Sequence, residues 1–550
     1  MKKIHLILLA VLTGLLLWLS WPARGFPGLL FIAFIPLLFA EDYITQNRHN
    51  FKRGSFFLYA YLAFFIWNLL TTWWIYYSTL FGVIMAVVFN ALFMALVFHF
   101  YHMLRRNLFK GRRGYYVLIF FWITFEYLHL DWDLTWSWLN LGNGFAAYPS
   151  WVQWYAYTGT LGGTAWVLGV NILIYLALKF AFGLVKVKSR VLLFGSSAAV
   201  LLVVPIILSQ VIYHAYREKG SPVNIVVVQP NIDPYNEKFG GMTSQQQLDR
   251  IISLAREKVD SETDYLVCPE TAIPEGIVED ELNESQSIDS LKALIADFPQ
   301  LKVVIGISSY VIYDKGEKIT ETARLSGDGQ YHYDVCNTAM YLDSSYNAQL
   351  YHKSKLVPGV EKMPFPKLLK PLEKFAIDLG GMTGSHLTQD VRSALGPASD
   401  EIKVAPVICY ESIYGDFVTG YIRNGAQLIF IITNDGWWED TPGHRQHLQY
   451  ARLRAIETRR SIARSANTGI SAFINQRGDI LMATSYWEPR VISHTLNATN
   501  RKTFYVRFGD YLGNIAQYFA YAFFIVYLVA LLLNMRFRII QKKKNPGILK

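Results

Sequence analysis

The stretch Val404-Ala-Pro-Val-Ile-Cys409-Tyr410-Glu411-Ser412 runs five short-range apolar residues into a thiol and then into a polar turn. A brief β-rich run bounded by a turn signal reads as a buried strand that delivers Cys409 to its end. Two charged residues of the same segment stand in comparable places. Glu270 closes the run Tyr265-Leu-Val-Cys-Pro-Glu270 ahead of Thr271-Ala-Ile-Pro274, and Lys353 stands in Tyr351-His-Lys353-Ser-Lys355-Leu-Val-Pro358. A free thiol is mostly protonated at neutral pH, so a nucleophilic cysteine needs a base to take its proton or a cation to favour the thiolate. Glu270 is the candidate base, and the Lys353 ammonium is placed to stabilise the oxyanion of a tetrahedral intermediate.

Each of these residues also has a plainer reading. A strand-end cysteine is most often a small buried hydrophobe; Glu270 alone would serve as a helix cap and Lys353 as a solvated charge. Cys268 and Cys336 are rival nucleophiles, or partners in a disulfide if the compartment is oxidising. His444 and His447 suggest a cysteine–histidine pair, but read more naturally as polar-face residues of the helix through Ala451-Arg-Leu-Arg-Ala455-Ile-Glu457.

Working outward, β-rich runs at 224–229, 265–268, 302–306, 404–408 and 427–432 alternate with helical patterns at 243–259, 287–298, 414–424 and 444–460. That alternation predicts a layered α/β or α+β domain whose strand ends carry the site. Residues 381–400, with scattered Gly, Ser, Thr and Pro, read as a surface loop.

The rest of the chain is lipid-facing. Of 550 residues 52% are hydrophobic and only 17% charged, too apolar for a water-soluble chain of this length. Against the roughly 20 residues needed to cross a bilayer, about eight spans stand out, near 4–21, 27–43, 56–77, 79–103, 114–130, 158–185, 191–213 and 513–535. The fifth carries Glu126. Loop charge gives an independent check. With the Met1-Lys2-Lys3 end cytoplasmic, the loops after spans two, four and six should be basic, and they carry Arg48, Lys52 and Arg53, then Arg105, Arg106, Lys110, Arg112 and Arg113, then Lys186, Lys188 and Arg190. The tail with Arg536, Arg538 and Lys542 to Lys544 falls on the same side, whereas Asp131 and Asp133 mark a loop on the other. Seven crossings then place the segment 215–510 outside the cytoplasm. The basic start and apolar run of the first span also fit a cleaved signal peptide; it is read as a retained helix, since no clear small-residue cleavage site follows it.

The division expected is a membrane domain over 1–214, a catalytic domain over 215–510, and a final span with a basic tail over 511–550. The net charge of +10 is explained by positive-inside loops rather than by nucleic-acid binding. Three cysteines exclude a disulfide scaffold, and their spacing matches no zinc pattern, so no metal is expected.

Pro269-Glu270-Thr-Ala-Ile-Pro274, Lys353-Ser-Lys-Leu-Val-Pro358, Cys409-Tyr410-Glu411 and Thr433-Asn434-Asp435 resemble the nitrilase, or carbon–nitrogen hydrolase, superfamily. The resemblance implies an αββα sandwich with Glu270 as general base, Lys353 as oxyanion stabiliser and Cys409 as nucleophile. Lys355 competes with Lys353; the superfamily's lysine lies three residues before the leucine that here is Leu356, which favours Lys353. Seven crossings, one exported domain and a last crossing resemble the membrane-embedded branch of that superfamily, as do Gln229-Pro-Asn-Ile232, Asn434-Asp-Gly-Trp-Trp438, Gln446-His-Leu448 and Ala466-Asn-Thr-Gly-Ile-Ser471.

By that resemblance Glu361, Tyr410 and Glu411 support the site by orienting the lysine, the thiol and a lid, and Phe239 fills a substrate-binding position usually held by Trp. Val357-Pro358-Gly359-Val360-Glu361 departs from the branch's usual Val-Pro-Phe-Gly-Glu but keeps the glutamate spacing. The implied function is transfer of a phospholipid acyl chain, through a thioester on Cys409, to the α-amino group of the diacylglyceryl-cysteine that begins an apolipoprotein. It carries with it a bacterial inner-membrane location with the catalytic domain periplasmic, no cofactor, and a chain acting as a monomer. A cavity at the membrane surface must exclude water from the thioester; Trp132, Trp136, Trp138, Trp151 and Trp154 would form one wall or an interfacial aromatic belt. A membrane-tethered amidase with water as acceptor and a non-catalytic membrane scaffold stay open as alternatives.

Overall fold

The computed structural model describes residues 2–52, 54–111, 113–183, 187–362, 365, 385–397 and 402–544. Arg53, Arg112 and Lys186 of the basic loops, and 381–384 and 398–400 of the expected surface loop, lie outside the described residues, and from 534 to 544 only the backbone course is described.

Ahead of the first strand come the helices α1 (Lys3–Leu19), α2 (Ile35–Gln46), α3 (Ser55–Thr72), α4 (Leu80–Ile84), α5 (Asn90–Leu108), α6 (Val117–Leu128), α7 (Tyr155–Phe182) and α8 (Lys188–Ala215). Six helical segments among the described residues are long and apolar enough to cross a bilayer: Pro27–Gln46, Ser55–Tyr77, Gly82–Leu108, Tyr155–Phe182, Lys188–Ala215 and Tyr511–Leu533. The two other expected spans are helical but short, Lys3–Leu19 and Val117–Leu128. The shortness of α6 has a cause in Glu126. This buried carboxylate accepts the Trp122 indole N–H at 2.9 Å, the Leu141 backbone N–H at 2.8 Å and the Thr164 hydroxyl at 2.6 Å, so the chain turns back to satisfy it instead of continuing as helix.

Over an 18-residue stretch the helix α8 reaches a mean hydropathy of 2.6, and it exposes Leu192, Leu193, Val200, Val204, Ile207 and Val211. A continuous apolar face of that kind is a surface for lipid or for a partner, not for water. Deeper in the bundle Glu41, Asp42, Arg105 and Lys179 are paired with one another. Arg105 was grouped above with the basic loop, but it lies in the last turn of α5 and is fully buried, 2.6 Å from Glu41 and 2.7 Å from Asp42, while Lys179 of α7 reaches Asp42 at 2.6 Å. Pairing is what makes ionised groups tolerable at such depth.

The strands are β1 (Ser221–Gln229), β2 (Tyr265–Val267), β3 (Ile273–Val278), β4 (Lys302–Tyr313), β5 (Arg324–Leu325), β6 (His332–Leu342), β7 (Gln349–His352), β8 (Val404–Ile408), β9 (Leu428–Thr433), β10 (Ile462–Ala466), β11 (Ala472–Ile474), β12 (Ile480–Ala483) and β13 (Arg490–Ala498). The helices α9 (Ser244–Arg256), α10 (Gln286–Asp297), α11 (Gly415–Arg423), α12 (Pro442–Thr458), α13 (Phe504–Phe508) and α14 (Tyr511–Lys544) complete the chain. One sheet has the order β13-β1-β2-β4-β6-β5, with β3 also on β4 and β7 on β6; the other runs β12-β11-β10-β9-β8.

The period-two alternation of strands decides the layering. Val226 and Val228 of β1 pack with Leu248 and Ile251 of α9 and Leu291 and Leu294 of α10. Their neighbours Ile225 and Val227 face the opposite way, into a core shared with Phe430 and Ile432 of the second sheet and Ala451 and Ala455 of α12. The sheets touch directly, with the Tyr265 and Phe430 rings 5.2 Å apart edge to face. The order is therefore helices, sheet, sheet, helices. At the chain's end β13 pairs antiparallel with β1, and α14 returns to the bundle, packing Phe519 against Phe120 with ring centroids 4.8 Å apart.

Candidate active site

The edge strand β8 ends at Ile408, and Cys409 turns the chain with φ +47°, in the left-handed region that non-glycine residues rarely occupy. The strain is held from several sides. The Cys409 carbonyl accepts the Ser412 hydroxyl at 2.7 Å, and His447 Nε2 lies 3.2 Å from the same oxygen. Glu411 fixes both flanks: its buried carboxylate accepts the Ile408 N–H at 2.8 Å, the Ser354 N–H at 2.7 Å, the Tyr351 hydroxyl at 2.8 Å and the Tyr421 hydroxyl at 3.0 Å. The turn bearing the thiol is thereby tied to the residue that follows Lys353.

Opposite stands the acidic pair that holds Lys353. Glu270 leaves β2 through Pro269, and it is pressed against β4 at Gly306, where a Cβ would come within 2.6 Å of the Glu270 Cα. Lys353 extends β7, its N–H donating to the Asn337 carbonyl at 2.8 Å. Its ammonium, 1% exposed, donates to Glu270 Oε1 at 2.8 Å and to Glu361 Oε1 at 2.7 Å. Burial alone would strip that proton, yet the two carboxylates more than offset it and hold Lys353 well above the ordinary lysine value. Burial likewise opposes ionisation of Glu361, but Lys353, with a smaller contribution from His386, keeps its carboxyl below the usual range. Lys355, the competitor, points elsewhere: its ammonium is 2.7 Å from Asp131 and 3.0 Å from the Leu130 carbonyl.

Glu270, Lys353, Glu361, Cys409 and Tyr410 all line one cavity, and Glu270, Lys353 and Asp435 act electrostatically on the thiol. Burial pushes the Cys409 thiol well above the ordinary cysteine value; Glu270 adds to that rise and Lys353 works against it. The sulfur therefore rests as a thiol beside a carboxylate that can take its proton. The remaining wall comes from the bundle, including Ile75, Met85, Phe89 and Phe93. Of the tryptophans expected there, Trp136 and Trp138 line the cavity, together with Trp74, Trp437 and Trp438. Trp132 instead bonds His129, Trp151 packs on Phe26 and Trp154 on Trp166. Phe239 lines the cavity and stacks on Trp437 with centroids 6.3 Å apart. Tyr410 reaches across to the membrane part, donating to the Thr135 carbonyl at 3.0 Å and stacking on Trp136.

Residues 13–173 match the apolipoprotein N-acyltransferase N-terminal domain family, and residues 225–503 match the carbon-nitrogen hydrolase family. The apolipoprotein N-acyltransferase of Chlorobaculum tepidum is 30% identical over 525 residues, covering 92% of this chain and 93% of that protein. The chain belongs to the apolipoprotein N-acyltransferase family. The proteins of that name from Geobacter metallireducens and Thermotoga maritima are 29% and 25% identical, each across 92% of this chain and 91% and 90% of their own.

Several residues of this family member's site escape a reading by motif. Asn337 donates to Glu270 at 2.8 Å and to Glu361 at 3.2 Å, bridging the two carboxylates beside the lysine; no local spacing marks it in the sequence. Lys238 is buried and donates to the Thr271 hydroxyl at 2.5 Å and the Glu270 carbonyl at 3.3 Å. Burial pulls its ammonium down to about 8, with Glu270 offsetting only part. His444 and His447 are corrections: both are fully buried, because α12 is covered on its outer side by the membrane part, as when Trp138 donates to Gln446 at 2.7 Å. His447 Nδ1 lies 2.9 Å from Asp435, whose other oxygen meets Arg464 at 2.5 Å. Cys268, Cys336 and Cys409 are all free thiols.

Proposed function

We propose that the protein transfers an acyl chain from a membrane phospholipid to the α-amino group of the N-terminal diacylglyceryl-cysteine of apolipoproteins, through a thioester on Cys409. The observation that carries this reading is the cavity: one continuous space is lined by the thiol, by Glu270 and Lys353, and by apolar side chains of the bundle. In this reading residues 1–214 make seven crossings of the bacterial inner membrane, 215–510 form the periplasmic catalytic domain, and 511–550 make an eighth crossing with a cytoplasmic basic tail. The alternation of basic loops and the lipid-type face of α8 support that placement. The protein acts as a monomer.

In the first half-reaction Glu270 takes the Cys409 proton as sulfur adds to the phospholipid ester carbonyl, and the Lys353 ammonium lies beside the oxyanion that forms. Collapse breaks the ester C–O bond, and the leaving lysophospholipid oxygen takes the proton back from Glu270. In the second half the apolipoprotein amine adds to the thioester and gives a proton to Glu270. The C–S bond then breaks, and the thiolate recovers that proton. Glu361 and Asn337 hold the lysine and the base in register, Glu411 fixes the turn, and Tyr410 and Phe239 border the acyl path. The tryptophan wall keeps water from the thioester, without which hydrolysis would compete.

The test supplies purified protein with a phospholipid labelled in its acyl chain and a synthetic diacylglyceryl-cysteinyl peptide. Label is expected to reach the peptide amine with wild type, and neither peptide nor enzyme is labelled with Cys409→Ala. Release of free fatty acid at the same rate with or without peptide would instead make the protein a hydrolase.

A further inference from the structure

Strand pairing gathers three metal-ligating side chains that lie far apart in the chain. Cys336 stands on β6, His352 on β7 and Glu279 in the turn just after β3, and their donor atoms all lie within 4.8 Å of one another. The register explains the meeting. Cys336 pairs with Ser309 of β4, and Thr338, two residues on and so on the same side of β6, pairs with His352. Asn337 and Lys353, which serve the site around Cys409, are the alternating neighbours along the same two strands.

The cluster is built rather than incidental. His352 Nε2 lies 2.8 Å from Glu279 Oε1, and the Ser309 hydroxyl donates to that same oxygen at 2.7 Å. Cys336 is fully buried, whereas the side chains of His352 and Glu279 stay 16% and 17% exposed. The exposed edge of the group is that of His352 and Glu279.

A second nucleophilic triad would use the same residue types, but it needs the imidazole between thiol and carboxylate with one nitrogen for each, and a thiol that substrate can reach. The second condition is not met, because Cys336 has no exposed area although it borders the cavity around Cys409. Thiolate, imidazole and carboxylate are, however, the donor set zinc takes, and three protein ligands with one open position is a common zinc arrangement. We propose that Glu279, Cys336 and His352 bind one zinc-type divalent cation, with Ser309 orienting the carboxylate from behind. Binding sends the Cys336 thiol proton to solvent and exchanges the Glu279–His352 hydrogen bond for two metal bonds. The site uses none of the residues proposed to carry acyl transfer on Cys409.

The test titrates the full-length, reduced protein in detergent with Co2+ and then with Zn2+. One Co2+ per chain is expected, with a thiolate-to-cobalt charge-transfer band that one equivalent of Zn2+ removes. The band should survive in Cys409→Ala and vanish in Cys336→Ser, and His352→Gln should weaken Zn2+ binding at least tenfold. A band that persists in Cys336→Ser, or disappears in Cys409→Ala, puts the metal on another sulfur and overturns the proposal. So does wild type without a thiolate band. If Cys336→Ser folds poorly, as judged by loss of acyl-enzyme formation, His352→Gln decides alone: unchanged Zn2+ affinity there also overturns it.

Discussion

Lys353 is the most tightly held charge of the site, with two carboxylates on one buried ammonium. Replacing it by Met removes the cation beside the proposed oxyanion. A preorganised donor at such a place is worth roughly 100- to 1,000-fold in rate, so Lys353→Met should lose at least about that much acyl transfer, while Lys355→Ala changes the rate only a few-fold. Comparable losses in both would remove the distinction between the two lysines. For Glu270 the signs separate acidity from catalysis. Its carboxylate raises the Cys409 thiol, so Glu270→Gln should lower the apparent pKa seen in the pH profile of thiol alkylation and yet abolish acyl-enzyme formation. An alkylation profile moved upward would contradict it. Glu361 gives a stability test. Its folded carboxyl lies below the ordinary 4.5, so its ion pair stabilises the fold above that value and the benefit is lost as pH falls toward the depressed one. The melting-temperature gap between wild type and Glu361→Gln should therefore be widest near neutrality and shrink in acid; a gap that widens in acid refutes the pairing.

Among the elements, the turn after β8 carries most of the demand. Glu411 serves five donors from three different places, and Glu411→Ala takes away their acceptor, at a cost on the order of 1–3 kcal/mol for each buried donor left unpaired. Loss of folded protein or a much lower melting temperature is the expected outcome, with Glu411→Gln milder; a melting temperature equal to wild type would mean that the turn is held by other contacts. The same elements show what the sequence could carry. The strands β1, β2, β4, β8 and β9 are legible as short apolar runs because most of their residues are buried on both faces, and the helices α9 to α11 from the one face each buries; α12 is buried nearly all round, so its apolar period shows only part of what it packs. The strand β10, Ile-Ala-Arg-Ser-Ala, is not, since Arg464 and Ser465 are buried in service of Asp435 and the Val228 carbonyl. The proposed catalytic residues are legible as strand-end punctuation, and the resemblance ranks Lys353 over Lys355. Asn337, Lys238 and the Glu279, Cys336 and His352 group are not, because register and not local spacing brings them to their places.

For the molecule as a whole, the charges split between two tasks. Arg48, Lys52 and Arg106 sit in or beside short connections, as orientation by loop charge requires, while Arg105 and Lys179 are spent on Glu41 and Asp42 inside the bundle. Hydropathy sees the first kind and miscounts the second. The sandwich is bound to the bundle by contacts such as Tyr450 to the Trp138 carbonyl at 2.9 Å and Trp21 to the Tyr450 hydroxyl at 2.9 Å, so the cavity is a product of both parts. The most direct measurement is intact-protein mass spectrometry after incubation with a phospholipid of one defined chain length and no acceptor. Wild type should gain the mass of one acyl group, lost on hydroxylamine treatment and mapped to the peptide holding Cys409, with Cys268→Ala and Cys336→Ala behaving alike. An unmodified wild-type protein, or an acyl group still present in Cys409→Ala, would contradict thioester transfer at this sulfur.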